Sequence, residues 1–236
     1  MTLRIRSYLF VTAFFALTFV YCSICILFFA CPKDWVIMVS RWWSAASLFA
    51  LRIICGTRFA VDGRENIPAG RMVIFVSKHQ SAWETVAYQK ILGNLVFMFK
   101  KELLYIPFFG LMMLKAGNIM VDRGATTRKG LKKLVDKFRE VLNYRNIAVF
   151  PEGTRVLPGA APAYKSGLGI IAAALDDATI VPVAINSGLY WPREGFLKYP
   201  GTIRVKIMPA FSAAGMDHAA ISAKAEEAIE NGMKSL

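Results

Sequence analysis

The chain has 236 residues, 56% of them apolar, and a formal net charge of +13. It is long enough for one domain of ordinary size plus an appendage, but it is more apolar than a typical soluble domain. The charge indicates a negative partner, such as anionic lipid or a phosphorylated substrate. The sequence has no zinc-finger spacing, no RNA-binding aromatic motif and no basic region followed by heptads, which argues against nucleic acid.

The most apolar stretch comes first, because residues 8–30 carry no charge. As a helix they would rise about 34 Å, enough to cross a hydrocarbon core of about 30 Å. A cleaved export signal would instead predict processing near Ala30, but the apolar core of such signals is shorter, about 7–15 residues. We therefore expect a retained transmembrane helix here.

A second apolar segment, residues 35–55, is interrupted by Arg41 and Arg52. It contains three tryptophans, which are typical of the headgroup level of a membrane. We expect this segment to lie along the interface, with its arginines reaching lipid phosphates. Residues 1–56 are thus predicted to be a membrane anchor, and residues 57–236 to form the domain that follows it.

After Gly56 the composition becomes that of an α/β domain. Short apolar runs that end at polar, Gly or Pro residues predict strands. These runs cover residues 59–61, 72–76, 95–99, 119–121, 147–150, 180–184 and 203–207. Helical patterns alternate with them, near residues 81–88, 127–142, 165–175 and 217–233. The alternation predicts an α/β fold with a mixed, largely parallel sheet flanked by helices on both faces.

His79 lies where the second predicted strand gives way to a helix, a position at which open α/β sheets usually bind ligands. Glu84 follows about one helical turn later if the helix begins near Ser81. A carboxylate there could accept the proton of one imidazole nitrogen and leave the other free as a base. The other histidine of the chain, His218, falls in a polar C-terminal stretch. Taken alone, the pair could arise by chance.

Polar residues also recur at other predicted strand ends. Lys101, Arg123 and Arg155 would supply cations there, and Gly153 would let backbone N–H groups approach an anion. Arg suits bidentate phosphate recognition, whereas Lys acts as a point charge. Each basic residue taken singly is more often a solvated surface charge, but the ordered set favours one phosphate-binding cleft.

Four blocks of sequence carry a family resemblance. They are HQSAWE at residues 79–84, VDRG at 121–124, FPEGTR at 150–155 and VPV at 181–183. In this order they resemble the blocks of the glycerolipid acyltransferase family and, more narrowly, of bacterial 1-acyl-sn-glycerol-3-phosphate acyltransferases. The similarity covers roughly residues 58–193; the FPEGTR block is very specific and the VPV block is weak by itself. One departure is that the first block usually ends in Asp, whereas this chain has the longer Glu84.

The resemblance implies the glycerolipid acyltransferase fold and transfer of a fatty acyl group to the sn-2 hydroxyl of lysophosphatidic acid, giving phosphatidic acid. The acyl donor would be a thioester, either acyl-CoA or acyl carrier protein, with no cofactor and no metal. His79 would be the general base and Glu84 the acid that orients it. The residues implied for substrate binding are Lys101, Arg123, Glu152, Gly153, Thr154, Arg155 and Pro182.

The same resemblance implies a membrane lipid bilayer as a partner. Acyl thioesters of this kind are made in the cytosol, so we expect the bacterial inner (cytoplasmic) membrane, with the catalytic domain facing the cytoplasm. Two other interpretations stay open. One is an acyltransferase that acts on a different lysolipid, and the other is a catalytically silent, membrane-anchored lipid-binding protein of the same fold.

Overall fold

A computed structural model of the chain describes residues 1–27, 29–30, 32–70, 72–106, 109–121, 127–160, 163–175 and 177–236. Its described strands are β1 (Thr57–Asp62), β2 (Ile74–Ser77), β3 (Leu95–Lys100), β4 (Ile119–Val121), β5 (Asn146–Val149), β6 (Thr179–Ile185), β7 (Gly201–Ile207) and β8 (Phe211–Ser212). They form one sheet in the order β1-β7-β6-β2-β5-β3-β4, with β8 also paired to β6. Neighbouring strands are parallel except where β6 pairs with β7 and β8. The predicted mixed, largely parallel sheet is confirmed.

Helices cover both faces of this sheet, because its central strands carry apolar side chains on both faces. The described helices are α1 (Leu3–Leu27), α2 (Lys33–Ala50), α3 (Trp83–Ile91), α4 (Phe109–Lys115), α5 (Arg128–Leu142), α6 (Gly167–Ala173) and α7 (His218–Met233). Side chains alternate along a strand, so Phe75 packs in a cluster with α1, α2 and α3, whereas Ile74 and Val76 pack with α5, α6 and α7. The central strands are therefore apolar on both faces, as buried parallel strands are.

The two N-terminal helices form a pair. The indole nitrogen of Trp43 in α2 donates to the Thr18 hydroxyl in α1 (3.1 Å), and the hydroxyls of Tyr21 and Ser40 lie 3.0 Å apart. A π-helical turn, Leu51–Cys55, extends α2. By length and composition alone, α1 and the extended α2 could each cross a membrane. The sequence placed the first helix at residues 8–30, but it begins at Leu3 and ends at Leu27.

The first turns of α1 are docked on the rest of the protein. Phe10 meets the Trp191 ring edge-on, with centroids 5.2 Å apart, and the backbone N–H of Lys198 donates to the buried Ser7 hydroxyl (2.9 Å). In α2, the Ser44 hydroxyl donates to the carbonyl of Val86 in α3 (2.5 Å). One hydrophobic cluster therefore contains residues from both sides of residue 56, where the composition of the sequence changes.

Candidate active site

His79 lies just beyond the carboxyl end of β2. Its imidazole stacks on the Phe150 ring, with centroids 4.0 Å apart and planes 16° from parallel, and Phe150 directly follows β5. The neighbouring parallel strands β2 and β5 thus deliver both rings to the same edge of the sheet. The His79 side chain is 16% exposed, so the imidazole is held against Phe150 on one side without being fully enclosed.

Glu84 is fully buried in the first turn of α3, with its Oε2 3.3 Å from Nδ1 of His79. Its two oxygens also accept the backbone N–H of Ser81 (3.1 and 3.0 Å), and Oε1 accepts the N–H of Gln80 (3.3 Å) and the hydroxyl of Ser187. A carboxylate can only accept, so the network assigns the proton of the neutral ring to Nδ1 and leaves Nε2 without a proton. The predicted pairing of His79 with Glu84 therefore exists in the structure.

The turn after β6 completes this arrangement, and sequence reasoning missed it. Besides the Ser187 hydroxyl on Glu84, the backbone N–H of Gly188 donates to the side-chain oxygen of Gln80 (3.1 Å). Strand β6 is the other parallel neighbour of β2. The rule that singled out polar residues at strand ends would have found Ser187 had it been applied to β6 as well.

The loop after β5 is tied to the backbone of His79. The Val156 N–H donates to the His79 carbonyl (2.7 Å), and Oε1 of Glu152 accepts the His79 N–H (3.3 Å). Gly153 has φ +67°, a left-handed conformation that favours glycine, and a Cβ there would come within 3.0 Å of the Lys165 side chain. The FPEGTR block thus folds against the backbone of His79, and Glu152 accepts the His79 N–H.

The remaining predicted substrate-binding residues are placed as follows. Thr154 is exposed and Arg155 half-buried in the same loop, and the Arg155 carbonyl accepts a hydrogen bond from Nη1 of Arg193 (2.7 Å). Lys101 is exposed directly after β3, which is the other parallel neighbour of β5. These residues share the sheet edge that carries His79. Arg123, with the rest of the VDRG block beyond Val121, lies outside the described residues.

Pro182 occupies a different kind of position, because it is buried within β6 opposite Val76 of β2. It lies between Ile180, where β8 pairs, and Val183, where β7 pairs, and its carbonyl accepts the Met208 N–H (2.9 Å). A residue without an N–H fits a sheet at such a gap in the ladder. Direct contact between Pro182 and a substrate stays a prediction.

Burial makes the Glu152 carboxyl a weaker acid than usual. Desolvation raises the pKa of its carboxyl from 4.5 to about 7, against smaller lowering effects from its own backbone N–H, the His79 N–H and the positive charge of Lys78. Its second oxygen, Oε2, is buried without a hydrogen-bond partner among the described residues. The carboxyl that accepts the His79 N–H is therefore one whose pKa burial raises towards neutrality.

We expect Glu152→Gln to stabilise the protein above about pH 7 but not near pH 4.5. The folded state binds the proton more tightly than the unfolded state, so stability falls as pH rises from 4.5 to about 7 and then levels off. That shift corresponds to about 3 kcal/mol at about 1.4 kcal/mol per pKa unit. Gln keeps the acceptor for His79 without titrating. Thermal unfolding in detergent across this pH range measures the difference, and a pH-independent difference would contradict the assignment.

Within the described part of the chain, no group of three or more His, Cys, Asp or Glu side chains is arranged to hold a metal ion. The partly exposed imidazole of His79, with a buried acceptor on Nδ1, can take a proton at Nε2 and return it.

Comparisons with known proteins identify the family of the chain. The sequence model of the Acyltransferase family matches residues 58–186. A 1-acyl-sn-glycerol-3-phosphate acyltransferase of Pseudomonas aeruginosa is 39% identical over 181 residues, 76% of this chain and 69% of that protein. The mouse 1-acyl-sn-glycerol-3-phosphate acyltransferase alpha is 28% identical over 72% of this chain and 60% of its own length.

A solved structure shares the fold. It is the crystal structure of the 1-acyl-sn-glycerophosphate (LPA) acyltransferase PlsC from Thermotoga maritima, which covers 99% of this chain and 97% of its own. The TM-score is 0.81 at 22% sequence identity, so this likeness concerns the fold alone. The family match spans more than half of the chain and includes both His79 and Glu84, and the protein therefore belongs to the acyltransferase family.

Proposed function

We propose that the protein transfers a fatty acyl group from an acyl thioester to the sn-2 hydroxyl of 1-acyl-glycerol-3-phosphate, giving phosphatidic acid. The observation that carries this proposal is the buried carboxylate of Glu84 on Nδ1 of a partly exposed His79, in a chain of the acyltransferase family. The names of the bacterial and mammalian relatives support the choice of acceptor.

The reaction would run as a direct transfer. Nε2 of His79 takes the proton of the acceptor hydroxyl while the oxygen attacks the thioester carbonyl, and Glu84 stabilises the resulting imidazolium through Nδ1–H. The tetrahedral intermediate then collapses, the C–S bond breaks, and the proton on Nε2 passes to the leaving thiolate. The ester and the free thiol are the products, and His79 returns to its neutral form without an acyl-enzyme.

The phosphate of the acceptor would be bound by Arg155, Lys101 and Arg123, with Gly153 and Thr154 shaping the pocket. Arg155 is two residues from the glycine whose left-handed backbone turns the loop at this sheet edge. Binding of substrate by Glu152 stays a prediction. Because its carboxyl accepts the His79 backbone N–H, we propose that Glu152 also positions the base.

We expect Arg155→Gln to raise KM for lysophosphatidic acid about 10- to 100-fold, with a smaller change in kcat. A charge-assisted hydrogen bond to phosphate contributes about 1.5–3 kcal/mol. Arg139→Gln is the matched control, because Arg139 is an exposed arginine on α5 paired with Asp136. The measurement is steady-state kinetics with lysophosphatidic acid and with monoacylglycerol, which lacks the phosphate. An equal rise in KM for both acceptors would remove Arg155 from the phosphate site.

We also propose that α1 and α2 hold the enzyme on the bacterial inner (cytoplasmic) membrane, with the sheet on the cytoplasmic side where the thioesters are made. Large apolar side chains on these helices are exposed, including Phe15, Phe19, Trp42 and Phe49. The first turns of α1, up to Phe14, are docked on the rest of the protein, and the helix is buried again at Tyr21 and Cys25, which pack near α4. Residues 15–27 rise only about 20 Å, so a full crossing by α1 would need local thinning of the bilayer or immersion of docked turns.

We expect Phe15→Glu/Phe19→Glu to release much of the protein from lipid vesicles, because both substitutions place a charge on the exposed apolar face of α1. Leu131→Glu, on the exposed side of α5, is the control and should leave binding unchanged. Co-sedimentation is measured at low salt and at about 1 M salt, where exposed charges are screened beyond about 3 Å. Release of the parent protein by salt alone would show electrostatic attachment and contradict insertion through these helices.

The proposed activity is tested with the purified full chain in mixed micelles. Acyl-CoA and acyl carrier protein are supplied in parallel, against lysophosphatidic acid, lysophosphatidylcholine, lysophosphatidylethanolamine and monoacylglycerol. We expect lysophosphatidic acid to be the preferred acceptor. Preference for another lysolipid would overturn the acceptor assignment, and binding of lysolipids without turnover would identify a silent member of the family.

A further inference from the structure

The residue before the base is a buried lysine. The Lys78 side chain is 1% exposed, and its Nζ lies 2.5 Å from Oε1 of Glu230. The hydroxyl of Tyr164 donates to the same oxygen (3.2 Å), and Nζ lies 6.0 Å from the centre of the Tyr164 ring. Lysine is almost never fully buried unless it is paired, so the burial of Lys78 depends on its contact with Glu230.

Lys78 and His79 extend to opposite faces of the sheet. The His79 ring stacks on Phe150, which packs against the cluster formed with α1, α2 and α3. Glu230 belongs to α7, whose buried residues pack on the other face with α5 and α6. The ion pair therefore joins the last helix of the chain to the backbone that carries the base.

We propose that Lys78 and Glu230 are positioning residues that fix the backbone of His79 from the face of the sheet opposite to the imidazole. The inference rests on the proposed function for its catalytic consequence. Four further bonds hold the backbone of the same two residues: Lys78 N–H to the Val183 carbonyl (3.1 Å), the Ser77 hydroxyl to the Lys78 carbonyl (2.9 Å), His79 N–H to Glu152, and Val156 N–H to the His79 carbonyl. The ammonium end of Lys78 adds a fifth tether.

The two partners differ in their access to water. The Lys78 side chain is 1% exposed and that of Glu230 is 28% exposed. Loss of the Glu230 charge leaves a buried ammonium without its carboxylate, whereas loss of the Lys78 charge leaves a carboxylate that water can reach. Breaking a buried pair from one side is costly, but replacing both members by apolar groups is often tolerated. The two single substitutions should therefore have unequal effects.

Lys78 also interacts electrostatically with Glu152. The positive charge of Lys78 lowers the pKa of Glu152 against the larger effect of burial. The charged and titratable groups around Glu152 and the pair are His79, Glu84, Tyr88, Tyr164, Lys165, Glu226 and Glu230. An ammonium freed from Glu230 can turn towards Glu152, which would pull that carboxyl away from the His79 N–H.

The test compares Glu230→Leu, Lys78→Met and the double variant Lys78→Met/Glu230→Leu in the full chain in micelles. We expect Glu230→Leu to lower kcat at least about tenfold with little change in KM, Lys78→Met to lower it less, and the double variant to match Lys78→Met within about threefold. Glu227→Leu, an exposed glutamate on the same helix, is the control. Lys78→Arg, which keeps the pair, should retain most activity. Single variants with the kcat of the parent, measured well below their melting temperatures, would overturn the proposal.

Two readouts do not depend on turnover. The pH range over which stability falls should move to higher pH in Lys78→Met and to lower pH in Glu230→Leu, because Glu152 loses or gains the influence of the ammonium. Carbethoxylation of His79 by diethyl pyrocarbonate, followed peptide by peptide with the exposed His218 as internal reference, should change several-fold in Glu230→Leu and recover in the double variant. Unchanged His79 reactivity would refute positioning whatever the acceptor. A parent that acylates another lysolipid would refute only the proposed function.

Discussion

Replacing His79 by Ala is expected to lower kcat by about 10²–10⁴-fold, which is the usual contribution of a positioned general base. KM should change little, because the proposed phosphate contacts come from Arg155 and its neighbours. The fold should persist, since the His79 side chain is partly exposed and Glu84 keeps its bonds to Ser81, Gln80 and Ser187. The measurement is steady-state kinetics with lysophosphatidic acid, together with thermal unfolding.

His218→Ala is the matched control, because it removes the other histidine from an exposed position at the start of α7. It should equal the parent protein in kcat, KM and melting temperature. If His79→Ala keeps the activity of the parent, the base lies elsewhere and the mechanism fails. If His79→Ala loses activity only because it unfolds, thermal unfolding shows this, and His79→Gln, which keeps more of the contact with Phe150, takes its place.

Sequence patterns predicted the sheet well because period and length are local properties. Each predicted strand lies within one or two residues of a described strand, as with residues 72–76 against Ile74–Ser77. The two-residue strand β8 and the short helix α4 were missed, since segments of that length carry little periodic signal. The docking of α1 was also missed. An apolar run read in isolation cannot reveal that Ser7 meets Lys198, which is 191 residues away in sequence.

The same distinction separates the predicted from the unpredicted parts of the site. His79 and Glu84 are five residues apart, so a strand followed by a helix was enough to suggest their contact. Ser187 is 103 residues from Glu84, and Glu230 is 152 residues from Lys78. Those contacts depend on which strands and helices become neighbours, and strand order is set by long-range packing. The residues that hold the pair in place were therefore found only in the folded chain.

The effect expected to rival that of His79→Ala is the loss of activity in Glu84→Gln. Every described hydrogen-bond partner of this carboxylate presents a hydrogen: the N–H of Gln80, the N–H of Ser81, the Ser187 hydroxyl and Nδ1 of His79. The side-chain NH₂ of Gln would have to face at least one of them, which leaves a buried clash of hydrogen-bond donors. If the NH₂ faces the imidazole, it favours the tautomer with the proton on Nε2, so that the base is no longer available. The same substitution of acid by amide in the Ser-His-Asp triad lowers kcat by about 10⁴-fold.

Glu84→Asp distinguishes this electronic role from simple packing. Asp keeps two acceptor oxygens but is one methylene shorter, and it is the acid usual at this place in the family that the sequence resembles. We expect Glu84→Asp to stay within about tenfold of the parent in kcat, with Glu84→Gln lower by at least a further factor of about ten, although Gln has the size of Glu. Steady-state kinetics across a pH series, with unfolding curves for each variant, makes the comparison. Equal activities of Gln and Asp variants and the parent would show that the carboxylate does not orient the imidazole, and the Nδ1 contact would then be structural only.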